Sequence, residues 1–145
     1  MNKPLFLKIA DHVYENPDSF DLNEWAIFVN DYDDWDEMIQ QNYGEAEVLG
    51  REDHGCETIC CVAGWACTLS GVSVRSIRKI QAQASVLLGI TEKEANALFC
   101  GGWPEVFASA HTQAETVEGQ AQVASDLLKE IVKYDSITEA FEALA

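Results

Sequence analysis

Apolar residues along this chain recur mostly at three- and four-residue spacing, which is the period of an amphipathic helix. Leu5, Ile9 and Val13 form the first such stripe and predict a helix over residues 4–16. Pro17 follows it and favours a helix end, because the residue before a proline is pushed out of the helical region. The same spacing predicts further helices over residues 76–88, 91–99, 120–134 and 137–144, and a short one beginning at Pro104.

One stretch, residues 58–70, carries no charged side chain and is apolar on nearly every side of a helix. A helix of that composition is buried on most of its surface. Thr58 is the expected N-cap, and Gly71 stands just past the expected end. We therefore predict an all-α fold, a compact single-domain bundle of several helices that spans residues 1–145 around this buried central helix.

Two local signals refine this prediction. Thr91 and Glu94 have the spacing of a capping box, in which each side chain satisfies a backbone N–H of the first helical turn. The cluster at residues 25–29 is too short for its period to distinguish a helical turn from a buried strand. No alternating pattern elsewhere is long enough to require a sheet.

Negative charge is distributed unevenly. Residues 1–57 hold 15 acids against 3 bases, residues 58–90 hold no acid and 3 bases, and residues 91–145 hold 10 acids against 3 bases. Residues 31–53, called here the acidic segment, hold nine acids and one base, Arg51. The candidate binding residues are Asp31, Tyr32, Asp33, Asp34, Trp35, Asp36, Glu37, Glu45 and Glu47.

A surface of this sign repels nucleic acid and membranes and attracts basic protein surfaces. The apolar fraction of 48% is that of a folded protein, so the acids are expected on a globular body. The longest apolar runs are far shorter than a bilayer span, and no signal-peptide pattern is present, so a cytoplasmic location is expected.

Four blocks of sequence carry a family resemblance. They are NPDSFD at 16–21, CETICCVAGWA at 56–66, LLGITEKEA at 87–95 and WP at 103–104. Together they resemble a group of small bacterial and phage proteins marked by a C-x4-C-x-A-G-W pattern. The resemblance implies a compact helical fold and supplies no activity. The acidic segment is longer than the corresponding stretch in those proteins, which marks it as an addition to a shared scaffold.

The cysteines offer an alternative chemistry. Cys56, Cys60, Cys61 and Cys67 lie near His54 and are soft ligands for zinc, yet no C-x2-C pair is present. Cysteines at a helix N-terminus also have a lowered thiol pKa, but neighbouring acids oppose a thiolate. Buried, reduced cysteines are the favoured interpretation, and no metal or cofactor is predicted.

A calcium loop starting at Asp31 fails, because the sixth and twelfth positions are Asp36 and Asn42 where Gly and Glu are needed. The simplest interpretation of the acidic segment is a solvated face without a partner. Tyr32 and Trp35 stand between acids, however, and half-exposed aromatics of that kind are typical of protein-binding surfaces.

The sequence therefore favours a non-enzymatic binding protein. It would occupy a basic, nucleic-acid-binding surface of a host protein, as DNA mimics and some small anti-CRISPR proteins do, without contacting nucleic acid itself. That step is an analogy from composition and from the phage-like resemblance. The alternatives are a small Cys/His-centred enzyme or metal-binding protein, and a structural homodimer that buries residues 58–69.

Overall fold

Seven α-helices make up nearly all the regular structure in the computed structural model, which describes residues 1–21, 27–28, 58–59, 61–72, 77–100 and 102–145. They are α1 (Lys3–Glu15), α2 (Val62–Leu69), α3 (Ile77–Leu88), α4 (Glu92–Phe99), α5 (Glu105–Gln113), α6 (Val117–Ile131) and α7 (Ile137–Leu144). A 3-10 turn (Pro17–Ser19) follows α1, and two short strands, β1 (Ile27–Phe28) and β2 (Thr58–Ile59), precede α2. The predicted all-α class is confirmed.

The most extensive packing joins α1 to α6, and α1 also contacts α2 and α3. The buried side of α1 consists of Leu5, Phe6, Ile9, Ala10 and Val13. The buried side of α6 consists of Ala121, Ala124, Ser125, Leu127, Leu128 and Ile131. Burying each large aliphatic side chain contributes about 1.5–3 kcal/mol, so this contact dominates the core. The stripe predicted on α1 is the one that the structure buries.

Helix α2 is buried along almost its whole length, from Val62 to Thr68. The predicted start at Thr58 is wrong, because Thr58 and Ile59 form β2 and the helix begins at Val62. Cys61, with an extended backbone, is the N-cap, and its carbonyl accepts the N–H of Trp65. The pairing of β2 with β1 overrides the local helical pattern, and that partner lies some thirty residues earlier in the chain.

Gly71 follows the end of α2, as predicted, and Gly89 follows the end of α3. Gly71 and Gly89 have φ angles of 68° and 63°, the left-handed region that side-chain-bearing residues rarely adopt. The N–H groups of Gly71 and Val72 donate to the carbonyls of Thr68 and Cys67, which satisfies the end of α2 in a Schellman motif.

The starts of the later helices follow from their caps. Thr91 and Glu94 form the predicted capping box of α4. Helix α6 begins at Val117 instead of the predicted residue 120, because Thr116 accepts the N–H of Gly119 and caps it. Trp65 and Trp103 lie in the core, and Trp25 lies outside the described residues. Among the described helices, none is long and apolar enough to cross a bilayer.

Candidate functional site

The residues predicted to bind a partner all lie outside the described part of the chain. They are Asp31, Tyr32, Asp33, Asp34, Trp35, Asp36, Glu37, Glu45 and Glu47. The structure describes how the chain before and around them is attached to the helices. The candidate site is therefore built from those attachments.

The first attachment is the ladder of β1 and β2. The strands are antiparallel, with Ile27 opposite Ile59 and Phe28 opposite Thr58. Paired residues in such a ladder have Cα atoms about 4.5–5.5 Å apart. The stretch 29–57, which contains the acidic segment, therefore leaves and rejoins the helical body at neighbouring points.

The second attachment is the connector, defined here as residues 16–21. The backbone N–H and the side-chain amide of Asn16 both donate to the carbonyl of His12, at 2.9 and 3.0 Å. The Ser19 hydroxyl donates to the Asn16 carbonyl at 2.6 Å. The Trp65 indole N–H donates to the Ser19 carbonyl at 2.9 Å. The connector is therefore hydrogen-bonded both to α1, which precedes it in the chain, and to α2, which follows it.

The ring of His12 packs against Trp65, with ring centroids 4.1 Å apart and planes inclined by 47°. The Nε2 atom of His12 is buried and finds no hydrogen-bond partner among the described residues. Burial lowers the pKa of His12, and Lys8 lowers it further, while Glu15 opposes them. The imidazole is therefore held neutral at the point where the connector begins.

A second histidine lies near the other end of the connector. The rings of His111 on α5 and Trp103 are in a T-shaped arrangement, with centroids 5.5 Å apart and planes inclined by 79°. The Nε2 atom of His111 is also buried and unpartnered within the described part of the chain. Burial lowers the pKa of His111, while the carboxylate of Asp21, the last residue of the connector, raises it. His12 therefore lies next to the start of the connector, and His111 lies near its end at Asp21.

The alternative Cys/His site is described only in part. His54, Cys56 and Cys60 lie outside the described residues, whereas Cys61 and Cys67 are buried and unbridged. Burial raises the pKa of Cys61 to about 11, although hydrogen bonds from the backbone of Gly64 and Ala63 lower it. Burial also raises the pKa of Cys67 to about 12. Among the described residues, no three His, Cys, Asp or Glu side chains are grouped to hold a metal ion.

The cysteines give a first prediction, in alkylation by iodoacetamide at about neutral pH. Among the three described cysteines, we expect exposed Cys100 to react first, and Cys61 to react on the order of a hundredfold more slowly than an ordinary thiol, because so little of it is thiolate. Peptide-resolved mass spectrometry measures both rates, with five modified thiols in denaturant as the control. If Cys61 reacted faster than Cys100, it would be an activated nucleophile, and the enzyme alternative would gain support.

Sequence reasoning missed His12 of α1 and His111 of α5, which lie near the two ends of the connector. It considered only His54, because that residue stands beside the cysteines. The contact between His12 and Trp65 joins positions 53 residues apart, and no local period or motif signals it. The NPDSFD block at 16–21 coincides with the connector, but it entered as part of a resemblance and without a role.

Comparison of the chain with protein-family models, with curated proteins and with solved structures finds no match. The resemblance expected from the C-x4-C-x-A-G-W pattern therefore remains a prediction.

Proposed function

We propose that this protein is a non-enzymatic binding protein whose acidic segment occupies a basic, nucleic-acid-binding surface of another protein. The proposal rests on the negative charge of the acidic segment together with the way in which the chain around it is attached to the helices. Nine acids and one base stand in residues 31–53, and the stretch containing them is joined to the helices at one two-stranded ladder. The role expected from this is that of an inhibitor of the DNA-mimic type.

The charge of the helical body supports the same role. Of the described basic side chains, Lys3, Lys129 and Lys133 are paired with acids of the body itself. Exposed acids such as Glu115, Glu118 and Glu142 add to the negative field of the acidic segment. Carboxylates spread over a folded body can replace phosphates against Lys and Arg, with fast and salt-sensitive association.

The attachment of residues 29–57 at the ladder of β1 and β2 also supports the proposed binding role. Phe28 and Thr58, which flank residues 29–57, lie opposite each other in the ladder. The entropy cost of closing the ends of that stretch is therefore already met before a partner binds.

The test neutralises the densest acids, as Asp31→Asn, Asp33→Asn, Asp34→Asn, Asp36→Asn and Glu37→Gln together. We expect folding to persist, because exposed charges contribute little to stability and the change relieves repulsion. We expect the captured partner to bind more weakly and with a flatter salt dependence, because its basic groove loses counter-charges. Pull-down from the native host at low and high salt, followed by titration of the captured protein, measures both.

The matched control removes the same number of charges from the helical body, at exposed acids. Its substitutions are Glu92→Gln, Glu115→Gln, Glu118→Gln, Asp126→Asn and Glu142→Gln. This variant has the same net charge and should bind more tightly than the first. Duplex DNA should compete with the wild-type protein for the captured partner. Equal affinity of the two neutralised variants, or no competition by DNA, would contradict the proposal.

A further inference from the structure

The contacts around His12 link its protonation to the attachment of the connector. Its ring packs 4.1 Å from the Trp65 ring, and Trp65 holds the Ser19 carbonyl. A neutral imidazole can leave Nε2 as a bare acceptor, but a protonated imidazole carries N–H on both nitrogens. The Nε2 of His12 would then be a buried donor without an acceptor among the described residues, which is costly.

The charged groups around His12 do not remove this cost. Lys8 and Glu15, one turn to either side on α1, act on it in opposite directions. The neighbouring α2 carries no Asp, Glu, Lys or Arg, and burial keeps its Cys67 and the adjoining Cys61 as thiols. Of the described side chains, the other elements packed on α1 carry Asp18 in the connector and Glu118, Asp126, Lys129 and Glu130 on α6 as charged groups.

We propose that His12 is an acid-sensitive latch: when its imidazole takes up a proton, the contact between Trp65 and the Ser19 carbonyl opens and the connector is released from the helical body. Opening lets water reach Nε2 and satisfies the new donor. Acidification therefore increases the population of a locally open state, in which residues 16–21, with the buried side chain of Phe20, have left α1, α2 and α6 while the rest of the core stays packed. The latch operates in the free protein, so it does not depend on the identity of a partner.

His111 is the matched comparison. It is also partly buried with an unpartnered Nε2 within the described residues, and burial lowers its pKa, but the carboxylate of Asp21 in the connector opposes that shift. A protonated His111 is thus attracted to the connector, whereas the carboxylate that raises the pKa of His12, that of Glu15, belongs to α1. Only His12 is therefore assigned the latch.

The experiment follows indole N–H exchange by NMR in the full ¹⁵N-labelled chain, from pH about 7.5 to about 5. Protection of each indole is measured against free N-acetyltryptophanamide in the same buffer, which removes the intrinsic pH dependence of exchange. Trp65 reports the latch, and Trp103, whose indole N–H donates to the Leu98 carbonyl at 2.8 Å, reports a site next to His111.

We expect the protection of Trp65 to begin falling near the ordinary histidine pKa of about 6.5, by about tenfold per pH unit. The fall should level off at the pH where the ring signals of His12 titrate in the folded chain. His12→Gln should make the protection of Trp65 independent of pH, and His111→Gln should leave its pH dependence in place.

Three results would overturn the latch. They are protection of Trp65 that stays constant with pH in the wild type, a pH dependence that persists in His12→Gln, and one that disappears in His111→Gln. If His12→Gln failed to fold, the wild-type titration would still decide. In the wild type, the loss of protection at the Trp65 indole must level off at the pH where the ring signals of His12 titrate. A difference between these two pH values would reject the proposal.

Discussion

Replacing Trp65 with alanine is expected to destabilise the protein by about 3–5 kcal/mol, the usual cost of truncating a buried tryptophan. Trp65 is only 2% exposed and packs against His12. The substitution leaves a cavity within the core and removes the donor to the Ser19 carbonyl. Because domains of this size are stable by about 5–15 kcal/mol, a large part of the total would be lost. Urea unfolding followed by circular dichroism measures the loss.

Two variants separate the causes. Trp65→Phe keeps an aromatic ring and removes the indole N–H, so we expect about 1–3 kcal/mol, the cost of leaving the Ser19 carbonyl unsatisfied. Val86→Ala, at a side chain 73% exposed on α3, should stay within about 0.5 kcal/mol. If Trp65→Ala cost no more than Val86→Ala, the packing of Trp65 in the core would be refuted.

Replacing Glu94 with alanine is expected to cost about 2–4 kcal/mol, which is large for a charged residue. Its Oε2 accepts the N–H and the hydroxyl of Thr91, at 3.0 and 2.9 Å, and caps α4. Its Oε1 accepts the N–H and the hydroxyl of Thr138, at 3.2 and 3.4 Å, in the first turn of α7. One carboxylate therefore satisfies the starts of two helices, and its removal should loosen both.

The two comparison variants are Glu94→Gln and Glu92→Gln. Glu94→Gln keeps one acceptor oxygen, so it should lose about half as much stability as Glu94→Ala. Glu92 is an exposed acid in the same first turn and interacts with the helix dipole, worth at most about 1 kcal/mol. Thermal unfolding should show a shift of about 2–4 °C for each kcal/mol lost. A smaller loss for Glu94→Ala than for Glu92→Gln would contradict the bridge between α4 and α7.

The pH dependence of Glu94 follows from its contacts. Burial raises its pKa, but the hydrogen bonds from Thr91, Thr138 and the Ile137 backbone together lower it below the ordinary value of 4.5. An acid with a lowered folded-state pKa stabilises the protein above its unfolded pKa and loses that contribution as the pH falls through the folded value. The difference between wild type and Glu94→Gln should therefore shrink below about pH 4.5.

The sequence by itself determined the elements whose causes are local. The stripe of Leu5, Ile9 and Val13 specified the buried face of α1, and Gly71 and Gly89 specified where two helices end. The capping box of α4 was readable from Thr91 and Glu94. Each of these signals lies within a few residues, which is the range over which helical period, caps and left-handed glycines operate.

The charge of the candidate site was equally readable, because nine acids in residues 31–53 need no fold to be counted. Their role as a binding surface remains a proposal, since those residues lie outside the described part of the chain. Their attachment was not readable at all. The start of α2 was predicted four residues too early, because the strand pairing of Thr58 with Phe28 is invisible to a local pattern.

The tertiary structure alone decided the contacts that join distant parts of the chain. It brought His12 to Trp65, Trp65 to the Ser19 carbonyl, and Glu94 to Thr138. These pairs are separated by 44 to 53 residues. Whether such groups meet depends on how the helices pack around a shared core, and that is the outcome of many small burial terms acting together. Local periodicity fixes which side of each helix is buried, and only packing fixes which helix it is buried against.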